Sequence, residues 1–490
     1  IERMGDKLSA RAVAAAADVP VVPGTTEPTD DPAEAVRFGE AHGYPIAVTA
    51  AFGGGGRGMK VVRSPAQVRD ALAGARREAE ASFGRGECYL ERYLERPRHV
   101  EVQVLADVDG TTIHLGDRDC SLQRRHQKLV EEAPAPRIDD GTRKAIREAA
   151  IRVAQEMGYV SAGTCEFLLE DRDDGEQAFY FLEMNTRLQV EHPVTELVTG
   201  VDLVAEQLRI AAGEGMGVSQ DEVALAGHAI EVRVNAEDPA VGFVPSPGLV
   251  TELAVPQGPW VRFDGGVEAG DEIPRTYDSM IGKLIVWGAD RDAARRRMAR
   301  ALDEMAVGGV PTTLGFHRLA MADEQFAAAT HSTVSVETEW DLSSLVAFDA
   351  DGAAPEAAPV VVALPGRTTT AREVALTVSG RSLHVTVHGV GTATDGVQTR
   401  ARRRRDGDRA GGGAATVDGP ELRAPMQGVV VAVSAAEGDV LAPGDLVVVI
   451  EAMKMENHVV AHRGGVMGPI ALEVGDVVEH GAVLTTITDG

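Results

Sequence analysis

Cysteine and aromatic residues are scarce in this chain of 490 residues. Its three cysteines, Cys88, Cys120 and Cys165, are too few to form a disulfide framework, so we expect a reducing compartment and a cytoplasmic protein. Aromatic residues make up 4% of the sequence, so the cores must be built mostly from aliphatic side chains. The sequence has no apolar run of about 18 residues, which argues against a membrane-spanning helix, and no signal peptide is visible.

Basic residues are outnumbered by acidic ones. The 48 Lys and Arg against 75 Asp and Glu give a formal net charge of −27, which disfavours binding to nucleic acid or to an anionic membrane. The four arginines at 402–405 are therefore interpreted as part of a solvated linker. Length alone predicts about three domains.

A glycine-rich loop near the N-terminus lacks the Gly-Lys-Ser/Thr of a P-loop. Gly53 to Gly56 and Gly58 fall between two predicted strands, 44–51 and 60–63. Because glycine has no side chain, backbone N–H groups in such a loop can approach a triphosphate closely. A flexible hairpin loop without a ligand would show the same sequence pattern. Helices are predicted around this loop at 9–18, at 32–42 with Asp31 as N-cap, and from Ser64-Pro65 to about Ala81.

Two carboxylates are predicted to meet on neighbouring strands. Strands at 163–169 and 178–183 are joined by a polar hairpin, which would bring Glu166 and Glu183 to one face. Carboxylates so close repel each other unless a cation lies between them, and Mg²⁺ with a bound nucleotide suits such a pair. Plain exposure of both carboxylates is the alternative.

The polar segment 117–128 follows an alternating strand at 98–105 and is either a solvated face or an anion site; its polar density favours an anion site. Pro134 and Pro136 argue against a continuing helix. Cys120 has no activating partner in the sequence and is interpreted as structural. Further helices are expected from Asp140 to about Met157 and, capped by Asp290, over 291–305.

The C-terminal region contains an internal repeat with an offset of 37 residues. Gly438-Asp439-Val440 recurs as Gly475-Asp476-Val477, and Gly444 as Gly481. Two short β-rich halves indicate a quasi-symmetric sandwich in which neither half can bury a core alone. Lys454 lies between the halves, where a hairpin tip would expose it.

These motifs resemble two parts of one enzyme family. The segment Glu183-Met184-Asn185-Thr186-Arg187-Leu188-Gln189-Val190-Glu191-His192-Pro193, with 227–238 and 277–283, resembles the signature of biotin carboxylases, which have the ATP-grasp fold. Ala452-Met453-Lys454-Met455, with Ala424-Pro425-Met426 upstream, resembles a biotinyl carrier domain. A lipoyl domain has a similar shape, but its lysine usually follows an acidic residue, so biotin is favoured.

The resemblance implies a role for each matching residue. Glu191 would act as the base on bicarbonate, and Arg233 would stabilise the biotin anion. Arg187, Gln189 and Val190 would bind bicarbonate, and Lys128 would reach the bicarbonate and phosphate region. The metal, Mg²⁺ or Mn²⁺, would be held by Glu166, Glu183 and Asn185, and biotin would be attached to Lys454. The residues expected to hold ATP are Lys7, the lid glycines Gly54, Gly55 and Gly56, the hinge from Glu91 to Leu94, His99 and His126.

One position departs from the family pattern. The strand before the glycine loop normally carries a lysine that contacts the phosphates, and here Thr49 occupies that position. Losing one charge-assisted contact costs on the order of 1.5–3 kcal/mol, so we expect impaired use of ATP.

The implied protein is an α/β (α+β) ATP-grasp biotin carboxylase joined by a linker to an all-β biotinyl domain. The expected divisions are a remnant of the N-terminal lobe at 1–20, a lid at 21–93, the main carboxylase region at 94–335, a linker with a small β element at 336–416, and the carrier at 417–490. In the linker, 374–378 and 382–387 alternate like two strands, with Ser379-Gly380 as the turn between them. The family's Rossmann-like first lobe is not matched.

The implied function is ATP-dependent carboxylation of carrier-bound biotin with bicarbonate through carboxyphosphate. The chain would be the α-subunit of an acetyl- or propionyl-CoA carboxylase, with a carboxyltransferase β-subunit and a biotin protein ligase as partners in a homo- or hetero-oligomer. The alternative is an impaired chain that serves only as a biotinylated carrier or assembly component.

Overall fold

The computed structural model describes residues 7–51, 59–172, 174–348, 371–378, 381–388, 420–424, 428–452, 455–470, 472–478 and 481–488. The chain divides into two compact units, Ile1–Ala350 and Asp351–Gly490. Within the described ranges, the helices are all too short or too polar to cross a bilayer.

Unit one begins with helix α1 (Lys7–Ala16), whose Ala10 and Ala14 pack into the core of the large sheet described below. A small layered subdomain follows, with the elements α2 (Pro32–His42), β1 (Ile46–Ala50), β2 (Met59–Val62), α3 (Val68–Phe83) and β3 (Cys88–Arg92). The strands form an antiparallel sheet in the order β2-β1-β3. Asp31 caps α2 as predicted, since its side chain accepts a hydrogen bond from the Ala33 N–H. Ser64 was wrongly expected to cap α3: its side chain makes no cap bond, and a 3₁₀ turn at Pro65–Gln67 comes first.

The rest of unit one is built on an eight-stranded antiparallel sheet. The elements in chain order are β4 (Arg98–Ala106), β5 (Thr112–Arg124), β6 (Gln127–Ala133), α4 (Asp140–Glu156), β7 (Ser161–Asp171), β8 (Gln177–Asn185), α5 (His192–Thr199), α6 (Leu203–Ala212), β9 (His228–Asn235), β10 (Glu237–Asp238), β11 (Val244–Pro245), β12 (Gly248–Leu249), β13 (Glu252–Ala254), β14 (Val261–Gly265), β15 (Glu272–Ile273), β16 (Met280–Gly288), α7 (Arg291–Glu304), β17 (Ala306–Gly308), α8 (Leu314–Ala322), α9 (Glu324–Ala328) and α10 (Ser335–Thr338). The order of strands in the sheet is β14-β16-β9-β6-β5-β4-β7-β8.

The alternation of polar and apolar residues in β4 does not separate a solvent-exposed face from a buried one. All nine residues of the strand are buried. One face, with Val100, Val102 and Val104, packs into the core beneath α4. The other face buries polar groups, including Glu101 and Gln103, that are satisfied by neighbouring side chains.

The polar segment 117–128 is not a solvated face. It forms most of β5 and the start of β6, and residues 117–123 are buried. Its charges can be buried because ions on adjacent strands pair with them. Cys120 is a free thiol, wholly buried, and burial raises its pKa well above the ordinary value, as expected of an inert structural cysteine.

Asp140 and Asp290 are the residues that the sequence predicted as the N-caps of α4 and α7. Asp290 caps α7 as predicted, accepting from the Ala293 N–H. For α4 the predicted cap is wrong by one residue: Asp139, not Asp140, accepts from the Thr142 N–H, and Asp140 is the first helical residue. The two aspartates are adjacent, so the sequence could not tell the residue with extended backbone from the one in the first turn.

Unit two contains a hairpin and a β sandwich. The hairpin pairs β18 (Ala371–Val378) with β19 (Arg381–His388), as the alternation predicted; its Ser379-Gly380 turn lies outside the described residues. The sandwich strands are β20 (Glu421–Arg423), β21 (Gly428–Val433), β22 (Val440–Leu441), β23 (Leu446–Ala452), β24 (Met455–Val460), β25 (Gly465–Met467), β26 (Val477–Val478) and β27 (Val483–Thr488).

The repeat is visible in the strand order of the sandwich. Its two described sheets run β20-β27-β25-β22 and β24-β23-β21-β26. β22 of the first half pairs with β25 of the second, and β26 of the second half pairs with β21 of the first. Each half thus completes the other's sheet over a shared core that includes Val430, Ile450 and Ile487, which confirms the predicted sandwich.

Candidate functional site

A cavity of about 470 Å³ in unit one contains most of the residues singled out from the sequence. It lies between the sheet β2-β1-β3 and the polar face of the eight-stranded sheet. The predicted site residues that line it are Glu91, Leu94, His99, His126, Lys128, Glu166, Glu183, Asn185, Arg187, Gln189, Val190, Glu191 and Arg233. Of the remaining predicted site residues, Gly54, Gly55, Gly56 and Lys454 lie outside the described residues, and Lys7 is described only as the first residue of α1.

Lys128 lies at the centre of the site among three carboxylates. Its Nζ donates to Glu101 Oε2 at 2.6 Å, Glu166 Oε1 at 2.9 Å and Glu191 Oε1 at 2.7 Å. Burial acts to lower the pKa of Lys128, but the carboxylates, Glu101 foremost, raise it well above the ordinary value. The ammonium therefore stays charged and holds three strands and the loop after β8 together.

Glu191 connects Lys128 to Arg233. The second carboxylate oxygen of Glu191 accepts from Arg233 Nη2 at 3.0 Å, and Arg233 Nε donates to Glu131 Oε1 at 2.6 Å. Burial acts to raise the pKa of Glu191, yet Lys128 and Arg233 lower it well below the ordinary value. Glu191 is thus an ionised, buried carboxylate that faces the cavity, which is the protonation state of a proton acceptor, but the same two cations weaken it as a base.

The loop from Arg187 to Glu191 is fixed by buried cations behind it. Arg118, with 0% of its surface exposed, donates from Nη2 to Gln189 Oε1 at 3.1 Å. The Gln189 amide then donates to Glu166 Oε1 at 2.8 Å, and Lys283 Nζ donates to the Val190 carbonyl. Arg187 is exposed and makes only long hydrogen bonds, at 3.3 and 3.4 Å, among those described.

Glu166 and Glu183 are direct cross-strand partners on β7 and β8, as predicted. Asn185 Nδ2 donates to Glu166 Oε1 at 2.9 Å. Two carboxylates and an amide oxygen are the hard oxygen donors that Mg²⁺ prefers, so these residues fit a magnesium–nucleotide site at the cavity wall.

Two further groups in the described residues bring three potential metal ligands together: His99, Glu101 and Glu166, and Glu101, Cys120 and Glu191. Lys128 donates to two carboxylates of each group. The ammonium therefore already supplies the positive charge that a metal ion would bring, and neither group requires one.

The histidines reach the cavity in different ways. His99 Nε2 lies 3.2 Å from Glu166 Oε2; burial acts to lower its pKa, but Glu166 produces a net rise. His126 follows Arg125 in the turn between β5 and β6, and both residues have positive φ, 46° and 63°. This backbone is costly for side-chain-bearing residues, and it places His126 at the cavity wall.

The hinge end of the cavity contains Thr49 and Glu91. Thr49 is buried on β1, and its hydroxyl donates to Glu91 Oε1 at 2.9 Å. Tyr89 donates to the same oxygen at 3.3 Å, and Arg11 Nη1 lies 3.4 Å from Glu91 Oε2.

Sequence reasoning missed the residues that hold the catalytic groups in place. Glu101 and Arg11 contact site residues but lie outside the motifs singled out from the sequence. Arg118 and Lys283 lie within the segments 117–128 and 277–283 that were singled out, but no role was predicted for either residue. The one available signal was a charged residue at alternate positions of a strand, as at Glu101 in β4, which indicates a buried polar face as well as a solvated one.

In unit two, β23 and β24 form an antiparallel hairpin whose last pair is Ala452 with Met455. Lys454 lies in the two-residue connection that follows this pair, outside the described residues. The described pairing of β23 with β24 thus ends on either side of residues 453 and 454.

Three protein families match the chain. "Carbamoyl-phosphate synthase L chain, ATP binding domain" matches residues 6–218. "Biotin carboxylase C-terminal domain" matches 231–338, and "Biotin-requiring enzyme" matches 420–487.

Similar proteins cover from about two thirds to nearly all of the chain. The biotin-dependent acyl-coenzyme A carboxylase alpha3 subunit of Mycobacterium leprae is 46% identical over 99% of this chain and 80% of its own length. A biotin carboxylase of Nostoc is 51% identical over 69% of this chain and 74% of its own length.

Solved structures resemble the first unit. A Campylobacter jejuni biotin carboxylase in complex with β,γ-ATP superposes with a TM-score of 0.64 at 44% identity, covering 68% of this chain and 73% of that one. The biotin carboxylase domain of a Hydrogenobacter thermophilus 2-oxoglutarate carboxylase, bound to MgADP, ADP and bicarbonate, gives 0.65 at 44% identity, covering 69% and 73%.

Proposed function

This chain belongs to the family of biotin-dependent acyl-CoA carboxylase α-subunits, and from that premise we propose how its residues carry out the reaction. The enzyme is an ATP-dependent ligase that carboxylates biotin with bicarbonate, and its cofactors are biotin, ATP and Mg²⁺. The roles of single residues, the division into domains and the protein partners are our proposals.

The observation that carries the mechanism is the chain of contacts Lys128–Glu191–Arg233 at the cavity. We assign to Glu191 the removal of the bicarbonate proton, because its carboxylate is ionised and desolvated. Arg187, Gln189 and the Val190 backbone hold the bicarbonate. Lys128 neutralises negative charge on the bicarbonate and on the phosphate group that the bicarbonate receives from ATP.

Arg233 is assigned the developing negative charge on the biotin ureido group. That nitrogen is nearly non-acidic, so its anion needs a fixed cation in a site from which water is excluded. Glu131 accepts from Arg233 Nε at 2.6 Å and Glu191 from Nη2 at 3.0 Å, so the guanidinium is oriented before substrate binds.

Glu166, Glu183 and Asn185 are assigned to the metal. The ion, when bound, supplies positive charge to the phosphate oxygens of ATP. The hinge from Glu91 to Leu94 is assigned to the adenine, with His99, His126, Lys7 and the lid glycines around the rest of the nucleotide. Lys454, at the hairpin tip, is assigned the covalent biotin.

The division into domains after residues 20, 93, 335 and 416 is part of this proposal. A cytoplasmic location is also proposed, because the three cysteines are free and buried, as is usual in a reducing compartment. A carboxyltransferase β-subunit and a biotin protein ligase are proposed as partners in an oligomer. The acyl-CoA, acetyl- or propionyl-CoA, would be selected on the β-subunit.

The test is hydrolysis of MgATP by the purified chain with free biotin, with and without bicarbonate. We expect phosphate release that depends on bicarbonate. The rival interpretation, a carrier without carboxylase activity, predicts a biotinylated chain with no such hydrolysis; the comparisons do not favour it, because the relatives that match residues of the cavity are carboxylases.

A further inference from the structure

Glu91 places a negative charge at the hinge end of the nucleotide cavity. Its carboxylate is 18% exposed, and the cavity also contains Glu166 and Glu183. An unpaired carboxylate there would repel a polyphosphate, and the low dielectric of a closed cleft strengthens that repulsion. A cation beside Glu91 would lower that repulsion.

The cation that the structure describes beside Glu91 is Arg11 of α1. Its Nη1 lies 3.4 Å from Glu91 Oε2, and Nη2 donates to the Val22 carbonyl at 2.5 Å. The guanidinium also lies over the Tyr89 ring, 5.6 Å from its centroid. With 11% of its side chain exposed, Arg11 is not a solvated helix arginine.

The segment beside α1 leaves room for this arrangement. Gly24 pairs with Glu91 in an isolated bridge, and a Cβ at position 24 would approach Arg11 Nη2 to 2.7 Å. The same Cβ would lie 2.7 Å from the Leu90 carbonyl oxygen, a backbone atom that cannot move aside as a side chain can, so the close approach of this segment to the hinge strand favours glycine at position 24.

Thr49 points at the same carboxylate from the other side. Its hydroxyl contacts Glu91 Oε1 at 2.9 Å, so a lysine at this position would have Glu91 within reach of its ammonium. Thr49 brings a hydrogen bond and no charge. In this chain the positive charge next to Glu91 comes from the helix and not from the strand.

We propose that Arg11 is a nucleotide-site residue that supplies the positive charge position 49 lacks, neutralising Glu91 at the hinge and so lowering the electrostatic cost of bringing the ATP phosphates into the same cavity. This inference rests on the proposed function, since it takes the cavity to be the ATP site. It also reduces the impairment expected from Thr49, because the missing cation has a substitute.

A purely structural role for Arg11 is the competing explanation, in which it only ties α1 to the hinge. Arg152 provides a matched control. It donates to the carbonyl of Ala17 at 3.0 Å and so ties the end of α1 to α4, and it does not line the cavity. R152A should lower the melting temperature without changing the KM for ATP.

The test is a double-mutant cycle with R11A, T49K and R11A/T49K in the full chain, measuring the KM for ATP and for bicarbonate together with MgADP dissociation constants by calorimetry. R11A should raise the KM for ATP about tenfold or more and leave the KM for bicarbonate unchanged. T49K alone should have a small effect, and R11A/T49K should recover most of the lost affinity. R11K, which keeps the charge, should lose less than R11A.

An unchanged ATP KM and MgADP affinity in R11A would overturn the inference. Equal losses from R11A with and without T49K would also overturn it, because a structural tie is not restored by a charge on β1. If the wild-type chain binds MgADP but shows no bicarbonate-dependent hydrolysis, the proposed function fails while the calorimetric cycle still decides the role of Arg11.

Discussion

At the scale of single residues, the site depends on buried charges, each of which is paired with a buried charge of opposite sign. Lys128 satisfies Glu101, Glu166 and Glu191 at once, and Arg118 pairs with Glu101 from behind at 2.6 Å. Removing one partner of such a group leaves the others desolvated and uncompensated, which costs more than the pair itself contributed. Variants of these residues therefore report on catalysis only when their folding is measured as well.

Arg233 is the residue whose loss should separate the two halves of the reaction. R233A should lower biotin carboxylation by about a hundredfold or more, since it removes the donor to the developing anion, while MgATP still binds. Carboxybiotin formation and nucleotide affinity are the two measurements, with R233K as the matched variant that keeps a charge near Glu131 and Glu191.

Survival of carboxylation in a folded R233A protein would assign the biotin anion to another cation. The melting temperature decides whether the variant is folded, because Glu131 and Glu191 both lose a partner in it.

The effect of Thr49 also belongs to this scale. From the sequence, a threonine in place of the expected lysine predicts weaker use of ATP, and this stays a prediction. The structure adds that Thr49 contacts Glu91, whose other oxygen faces Arg11, so the charge of the whole cluster matters more than the identity of one residue.

At the scale of elements, helix starts are fixed by which side chain meets an unpaired N–H group. Asp139 has extended backbone, with φ −65° and ψ 153°, and accepts from the Thr142 N–H at 2.8 Å. Asp140 lies within the first turn, where its charge only interacts with the helix dipole.

The two adjacent aspartates therefore make a matched pair of variants. D139A should destabilise the folded protein by about 1 kcal/mol, the usual value of an N-cap, and D140A by no more than about 0.5 kcal/mol. Denaturant unfolding of both variants measures the difference. Equal losses would mean that the cap bond of Asp139 contributes nothing beyond charge.

Two hydrogen bonds join helix α8 and the residue before it to the strand that carries Arg233. The Arg233 carbonyl accepts from Thr313 Oγ1 at 2.8 Å and from His317 Nε2 at 2.7 Å. A carbonyl only accepts, so Nε2 carries the proton, and the buried Nδ1 has no hydrogen-bond partner among the described residues. Burial lowers the pKa of His317 to about 4.

This histidine should make the protein sensitive to acid. Its folded pKa lies below the unfolded value of about 6.5, so its contribution is fully present above that value and is lost as the pH falls through 4. The loss approaches about 3 kcal/mol. H317Q keeps a donor without titrating, so between pH 7 and 4 its unfolding free energy should fall by less than that of the wild type.

Parallel pH profiles for the wild type and H317Q would mean that folding does not lower the pKa of His317. Urea unfolding at several pH values gives both profiles, and the difference between them cancels the contributions of other titrating groups.

At the scale of the whole molecule, one chain combines a cavity in its first unit with a hairpin, proposed to carry the biotin, in its second. Biotin on a carrier must visit two active sites, so a tether between the units is required by the reaction. The attachment lysine and the carboxylating cavity should therefore be separable by mutation.

K454R tests that separation. After co-expression with a biotin ligase, the variant should show no added biotin in intact mass spectrometry, while bicarbonate-dependent ATP hydrolysis with free biotin stays at the wild-type rate. Lys144, exposed on α4, provides the control, since K144R should be biotinylated normally. A biotinylated K454R chain would move the attachment point elsewhere.

Much of the fold could be predicted because it follows from local patterns. The 37-residue repeat predicted the two halves of the sandwich, the polar hairpin predicted the pairing of Glu166 with Glu183, and aspartates marked α2 and α7. The segment 117–128 resisted prediction because burial of charge depends on partners from distant strands, which a local pattern does not contain.

The sequence by itself determined the family, the cofactors and the residue types of the chemistry, because these depend on motifs of a few contiguous residues. Only the tertiary structure decided how those residues are held: that Lys128 is shared by three carboxylates, that Arg118 and Lys283 fix the loop from Arg187 to Glu191, and that Arg11 meets Glu91 opposite Thr49. The physical reason is that a buried charge is defined by its neighbours in space, and in this site those neighbours are up to 102 residues apart in the chain, as Arg233 and Glu131 are.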